Sequence, residues 1–346
     1  MATVFPYRWT KTKHLTERPP THGHPPDAHP WIILDVRAYI ADRQNATTAT
    51  IDLTSGRKLQ ITICAAPPPL VSYICAWSPT ADPAIVFAKE PVVACVNADL
   101  VFLRVHSDQV YHLVYHAGGR RPSLSLVRHP DRPFHRCHYL SELGSIAILS
   151  RRRAGAGDDH DDDSTGFYVC SLDQELWYGL PGQRGHFKLC LYDSIDGEWS
   201  QETLRLDQLR NPQDKDTVFH YTEKVITLHD EQVVAFVDLW RGMVICNVND
   251  ATCNNVELLP KLNDLPAMDK LRIARPMLSL MDSHVVYIMG KVNLSGEKTV
   301  VLTVDMANKR LQGVSLRDAE RIVYDDNGCS YKQSTISQYF TTSAGD

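Results

Sequence analysis

The chain lacks the marks of a membrane protein, a secreted protein or a familiar enzyme. No hydrophobic run approaches the ~18 residues that cross a bilayer as a helix. Residues 1–26 hold no apolar core of the kind a secretory signal needs. These gaps predict an intracellular chain, cytoplasmic or nuclear, with no membrane partner. Arg8, Lys11, Lys13 and Arg18 against Glu17 alone faintly suggest an organelle transit peptide, which the absence of serine there opposes. The glycosylation patterns Asn45-Ala46-Thr47 and Asn293-Leu294-Ser295 are read as chance matches for the same reason.

Catalytic motifs are also missing. The sequence contains no Gly-x-Gly-x-x-Gly, no Gly-x-x-x-x-Gly-Lys-Ser/Thr, no Gly-x-Ser-x-Gly and no His-Glu-x-x-His. No catalytic residue, cofactor or metal is therefore expected. A net charge of −5 speaks against binding nucleic acid through a basic surface. The nine cysteines include no Cys-x-x-Cys pair. Cys64, Cys95, Cys170, Cys190 and Cys246 stand inside apolar runs, where a free thiol acts as a small hydrophobe. A reducing compartment follows from that usage.

Helical patterning is scarce as well, with no amphipathic stretch of three turns or more. Short strand-like runs take its place, in a composition that is 43% hydrophobic and 22% charged and so supplies a sizeable core. The organising stretch is Val233 to Val248. Val233–Val237 and Met243–Val248 are apolar on consecutive positions, which predicts strands covered on both faces. Between them lie Asp238, Leu239, Trp240, Arg241 and Gly242, turn-type residues ending in a glycine that tolerates positive φ. Asp238 suits an Asx-type turn, Arg241 can pair with it, and Trp240 can cover the end of the core. A structural corner is preferred here over a ligand site.

Residues 1–29, rich in proline and histidine, read as a disordered N-terminal arm. Residues 30–340 read as one domain. Trp31–Val36 is a strand candidate, and Ala49–Leu53 and Lys58–Cys64 flank the turn Thr54-Ser55-Gly56-Arg57. Val92–Val96 and Leu100–Val105 pair around Asn97-Ala98-Asp99, and Gln109–Tyr115 alternates as a half-exposed strand would. His116–Ser141 reads as mostly loop. Ile146–Leu149 and Phe167–Leu172 enclose Arg151-Arg152-Arg153 and the acidic run Asp158–Asp163, so residues 151–164 are expected to be a disordered, charged hairpin loop. The acidic run lacks the order of a calcium loop.

Three segments repeat one theme. Phe187–Tyr192, Met243–Cys246 and Val300–Val304 each run into an acidic or amide residue, Asp193, Asn247 or Asp305, then a polar turn and a second strand. Those residues are separated by about 54 and about 58 positions, near the ~50-residue period of a kelch-type propeller blade. The fold class expected is all-β and β-propeller-like, with about six kelch-like blades and few helices.

Two polar constellations remain. His129, His135, Cys137 and His138, near His112 and His116, offer zinc-type donors, but their spacings match no finger or ribbon, and they are read as loop or sheet-surface residues. Aspartate-rich turns could supply a carboxylate pair at a central channel, although aspartates are more often turn formers.

On particular motifs the chain resembles the domain of unknown function 1618 family, a plant family expanded in grasses. The resemblance rests on His29-Pro30-Trp31-Ile32-Ile33-Leu34-Asp35, Asn45-Ala46-Thr47-Thr48-Ala49, Ala66-Pro67-Pro68-Pro69-Leu70-Val71-Ser72-Tyr73, Ala98-Asp99-Leu100-Val101 and, most specifically, Val237-Asp238-Leu239-Trp240-Arg241-Gly242. Asn247 departs from the family pattern, where aspartate follows the cysteine, and fits a structural turn. The resemblance implies plant origin and a propeller-like β-fold, and no substrate. The function expected is a non-catalytic scaffold that presents loops to a protein partner. The alternatives are a hydrolase or lyase using channel carboxylates, and a small-molecule or glycan-binding module.

Overall fold

β-Branched and apolar runs punctuated by turn residues become strands along the chain. Helix among the described residues is reduced to one turn, α1 (Pro83–Val86), and a 3-10 turn at Ile336–Tyr339. Asp82 starts α1 by accepting the Ala84 amide at 2.9 Å. The computed structural model describes residues 18–23, 29–128, 145–151, 166–174, 187–204, 222, 224–228, 232–238, 242–248, 252–257, 277–282, 284–291, 299–305, 310–317 and 331–340. No helix among them is long and apolar enough to cross a membrane.

The first strands are β1 (Ile32–Asp35), β2 (Tyr39–Ile40), β3 (Ala49–Asp52), β4 (Lys58–Cys64) and β5 (Val71–Trp77). Then come β6 (Val92–Asn97), β7 (Leu100–His106), β8 (Val110–His116) and β9 (Ser123–Val127), which form a four-stranded sheet in chain order. Three more four-stranded antiparallel meanders follow. They are β10 (Ile146–Ser150), β11 (Phe167–Gln174), β12 (Phe187–Asp193) and β13 (Glu198–Leu204); β14 (Lys224–Leu228), β15 (Val233–Asp238), β16 (Gly242–Asn247) and β17 (Thr252–Glu257); and β18 (Met277–Leu278), β19 (Val285–Lys291), β20 (Thr299–Asp305) and β21 (Arg310–Arg317). Finally β22 (Tyr331–Ser334) joins the first sheet, in the order β22-β1-β5-β4-β3, with β2 also on β5. The chain is thus mostly β, in several small sheets. The described residues hold five of them, against the blade number of about six that the period suggests.

The three repeating segments found in the sequence are the last two strands of successive meanders: β12–β13, β16–β17 and β20–β21. A meander follows from short polar turns, which can join only antiparallel neighbours. The Thr54–Arg57 turn closes β3 on β4 with Gly56 at φ +76°, a conformation glycine adopts without strain.

Two compact units are present: Met1–Val93 with Leu103–Ser125 and Leu271–Asp346, and Ala94–Phe102 with Leu126–Lys270. In the first, every residue of β1 is fully buried, because β22 pairs one edge antiparallel and β5 the other in parallel. Trp31, Ile33, Val71, Val301 and Tyr331 form a core there, with Trp31 edge-on to Tyr287 at 5.2 Å. In the second, Leu149, Cys170, Leu189, Val234, Phe236 and Val244 pack the β10–β13 sheet on the β14–β17 sheet. The consecutive apolar residues of β15 are covered on both faces as expected: Val234 and Phe236 are fully buried, and Ala235 and Val237 nearly so.

Three expectations need correction. Gln109–Tyr115 does not form a half-exposed strand, since β8 buries Tyr111, His112, Leu113, Val114 and Tyr115 alike. His116–Ser141, read as mostly loop, also holds a strand, β9, within its described part, and residues 129–141 lie outside the described residues. Cys246 is disulfide-bonded rather than a free thiol, whereas Cys64, Cys75, Cys95, Cys170 and Cys190 are free. The reducing compartment inferred from cysteine usage loses Cys246 as support.

Candidate functional site

The signature hairpin forms with Val233 opposite Asn247 and Asp238 opposite Gly242. That pairing leaves Leu239, Trp240 and Arg241 to close the loop, and these three lie outside the described residues. So do His129, His135, Cys137 and His138. His112, by contrast, lies on β8 in the interior.

A turn with the same aspartate start and glycine end is fully described at Asp193–Gly197, between β12 and β13. The Asp193 carboxylate accepts the Ile195 amide at 2.9 Å, an Asx-type closure, and the Gly197 amide donates to the Asp193 carbonyl at 2.8 Å. Arg151 reaches both carboxylate oxygens of Asp193 at 2.8 Å, and its guanidinium lies over the Tyr168 ring at 5.6 Å. Ser194 adds a pair of bonds: its hydroxyl accepts the Phe167 amide at 2.6 Å, and its own amide donates to the Phe167 carbonyl at 3.0 Å. Beside it, the Trp199 indole donates to the Arg128 carbonyl at 2.6 Å. At the tip of this braced turn Ile195 is 56% exposed.

A second constellation went unread in the sequence. Cys64 ends β4 opposite Tyr73 of β5, and Cys75 lies two residues further along, on the same face. These three, with Tyr39, form a closed cluster in which both thiols are buried. Arg43 sits over the Tyr73 ring at 5.6 Å and donates to its hydroxyl. Residues 18–23, within the stretch read as an arm, have no helix or strand but cover this cluster. The Tyr73 hydroxyl lies 2.8 Å from the carbonyls of both Pro20 and His22. Arg43 donates to the Pro20 carbonyl at 2.7 Å, and the His22 ring donates to the Val71 carbonyl at 2.8 Å. Gly23 lies so close that a Cβ would stand 3.1 Å from the Cys64 carbonyl, and its φ of +73° also favours glycine.

The electrostatics of that cluster are uneven. Cys64 is lowered to about 7, chiefly because the Cys75 thiol donates to it, with help from Tyr73 and Arg43 against the opposing effect of burial. Cys75 is pushed up by that same bond to Cys64 and by burial. Tyr73 is pushed up by burial first and by the charge on Cys64 second. Of the two thiols, Cys64 is the one that gives up its proton first. Cys170, fully enclosed in the other unit, is pushed up by burial, with Cys95 and Cys190 beside it.

The buried carboxylates among the described residues are Asp35, Glu90 and Asp305. Asp35 accepts the Arg37 amide at 3.1 Å, and Asp305 accepts the Gln312 side-chain amide at 3.2 Å, bonds that shape the chain locally. No group of three or more metal-ligating side chains occurs among the described residues.

No family model matches the chain. No curated protein matches it either. Among solved structures, Sqt1 of Saccharomyces cerevisiae aligns over 78% of this chain and 70% of its own, at 9% identity and a TM-score of 0.23. The WD40 domain of SCAP from fission yeast aligns over 84% of this chain and 63% of its own, at 10% identity and a TM-score of 0.25. Superpositions this loose carry no argument about function.

Proposed function

We propose that this chain is a non-catalytic scaffold, β-propeller-like with kelch-type blades, that binds a protein partner through the turns of its meanders, and that it belongs with the plant domain of unknown function 1618 family. The observation that carries the reading is the Asp193–Gly197 turn. An isoleucine held outward by an Asx closure and a two-oxygen arginine bridge loses little further freedom on binding, so its contact area converts efficiently into affinity. Burying the exposed half of that side chain contributes roughly 1–1.5 kcal/mol. The signature turn at Asp238–Gly242 shares the aspartate start and glycine end, and is the second presenting loop in this reading.

Two variants test it. Ile195→Asp and Arg241→Glu should each keep the circular dichroism spectrum of the parent and lose the same captured protein in affinity purification from plant extract. Unchanged capture by both variants would overturn the scaffold reading, as would a hydrolytic turnover abolished by a single carboxylate substitution.

A further inference from the structure

We propose that Cys64 and Cys75 form a redox-modification site, oxidised by a peroxide to a disulfide whose formation releases the Pro20–Gly23 segment that covers them. The two thiols share one face of the β4–β5 ladder at a diagonal register, with Tyr73 opposite Cys64 and next to Cys75 on that face. Groups with formal or potential charge surround them from each element in contact: Arg43, Tyr39 of β2, Tyr73 of β5, and His22 of the covering segment. Once opened to solvent, a thiol with an arginine and a phenol near it and a second thiol on the same face is the setting of a reactive cysteine beside a resolving one.

The chemistry balances with the peroxide alone. The Cys64 thiolate attacks one peroxide oxygen and the O–O bond breaks, giving a sulfenic acid and a hydroxide that takes up a proton as water. The Cys75 sulfur then attacks the Cys64 sulfur, the S–O bond breaks, and the departing hydroxide leaves as a second water with the Cys75 proton. Two sulfurs are oxidised by one electron each, and the peroxide takes up both.

Coupling to the covering segment follows from distance. Diagonal partners on an antiparallel ladder have Cα atoms about 7–8 Å apart. A disulfide needs about 4.4–6.8 Å. Bond formation therefore shortens the separation of the two cysteine Cα atoms by about 1 Å and shifts the ladder at Tyr73, the residue whose hydroxyl meets the Pro20 and His22 carbonyls. The segment has no strand pairing of its own, and its other bonds, Arg43 to the Pro20 carbonyl and His22 to the Val71 carbonyl, are made to the same cluster and its strand β5. Its transient opening also admits the peroxide to thiols that are otherwise sealed.

The test uses the full chain, reduced and then treated with hydrogen peroxide. Differential alkylation with peptide mass mapping should find a Cys64–Cys75 cross-link while Cys170 and Cys190 stay alkylatable. Hydrogen exchange over residues 18–23 should quicken at least tenfold in the oxidised protein. The initial rate should climb about tenfold from pH 6 to pH 8, following the thiolate population. In Cys75→Ser, Cys64 should halt as a sulfenic acid that a 1,3-diketone traps. The parent measurements suffice if that variant does not fold. Free Cys64 and Cys75 in a sample whose other thiols have oxidised would overturn the proposal. So would a cross-link that leaves exchange over 18–23 unchanged.

Discussion

Cys64 and Asp193 illustrate how a single side chain gains a role from its donors. Asp193 collects an amide and a guanidinium and becomes a brace; Cys64 collects a thiol, a phenol and a guanidinium and becomes an acid. The second case has a consequence for stability. Folding lowers Cys64 from 9.0 to about 7, so the native state sheds that proton first. Its contribution is fully present above the unfolded value and disappears as pH falls through the folded one. Cys75 and Tyr73 are shifted up instead, so their contribution is lost as pH rises beyond their unfolded values of 9.0 and 10.0. In reductant, the stability of the parent relative to Cys64→Ser should therefore grow from pH 7 to 9. Urea denaturation at several pH values checks this. Parallel curves for parent and variant would remove the acid shift from Cys64.

At the scale of elements, much of the fold was legible because each strand announces itself locally. The hairpins at Ala49–Cys64, Phe187–Trp199 and Val233–Val248 were read from apolar runs around turn residues, and all three stand. β8 was misjudged because His112 reads as a solvent-facing residue, whereas the strand is covered on both faces. β9 was missed because Ser123–Val127 is a brief serine–leucine alternation next to glycine, arginine and proline. The thiol cluster was illegible for another reason. Cys64 and Cys75 become neighbours through the register that the Pro67–Pro69 turn sets, and linear spacing does not encode register. Counting outward from that turn, with Cys64 opposite Tyr73, would have found them. The two-sided burial of β15 also yields a prediction: Phe236→Ala should destabilise by ~3–5 kcal/mol in thermal or chemical unfolding. Ile226→Ala, on the exposed side of β14, should stay within about 0.5 kcal/mol. Equal effects at the two positions would contradict the packing of the two sheets.

At the scale of the whole molecule, the pairing of β1 with β22 ties the beginning of the described chain to its end, with Ile32 opposite Ser334. A protein ended after residue 330 should melt at a lower temperature and associate on size exclusion, since it bares an edge of a fully buried strand. An unchanged, monomeric variant would mean that β22 is dispensable. The same pairing sets a timetable for biosynthesis. About 300 residues must be made after Ile32 before Ser334 exists, which at ~5–20 residues per second is about 15–60 s. During that interval β1 can rest only on β5, and its other edge is open to any strand that fits, including the β22 of a neighbouring nascent chain on the same message. Ribosome spacing, and whatever shields that edge in the meantime, thus decides whether each chain pairs with itself or exchanges its last strand with the next.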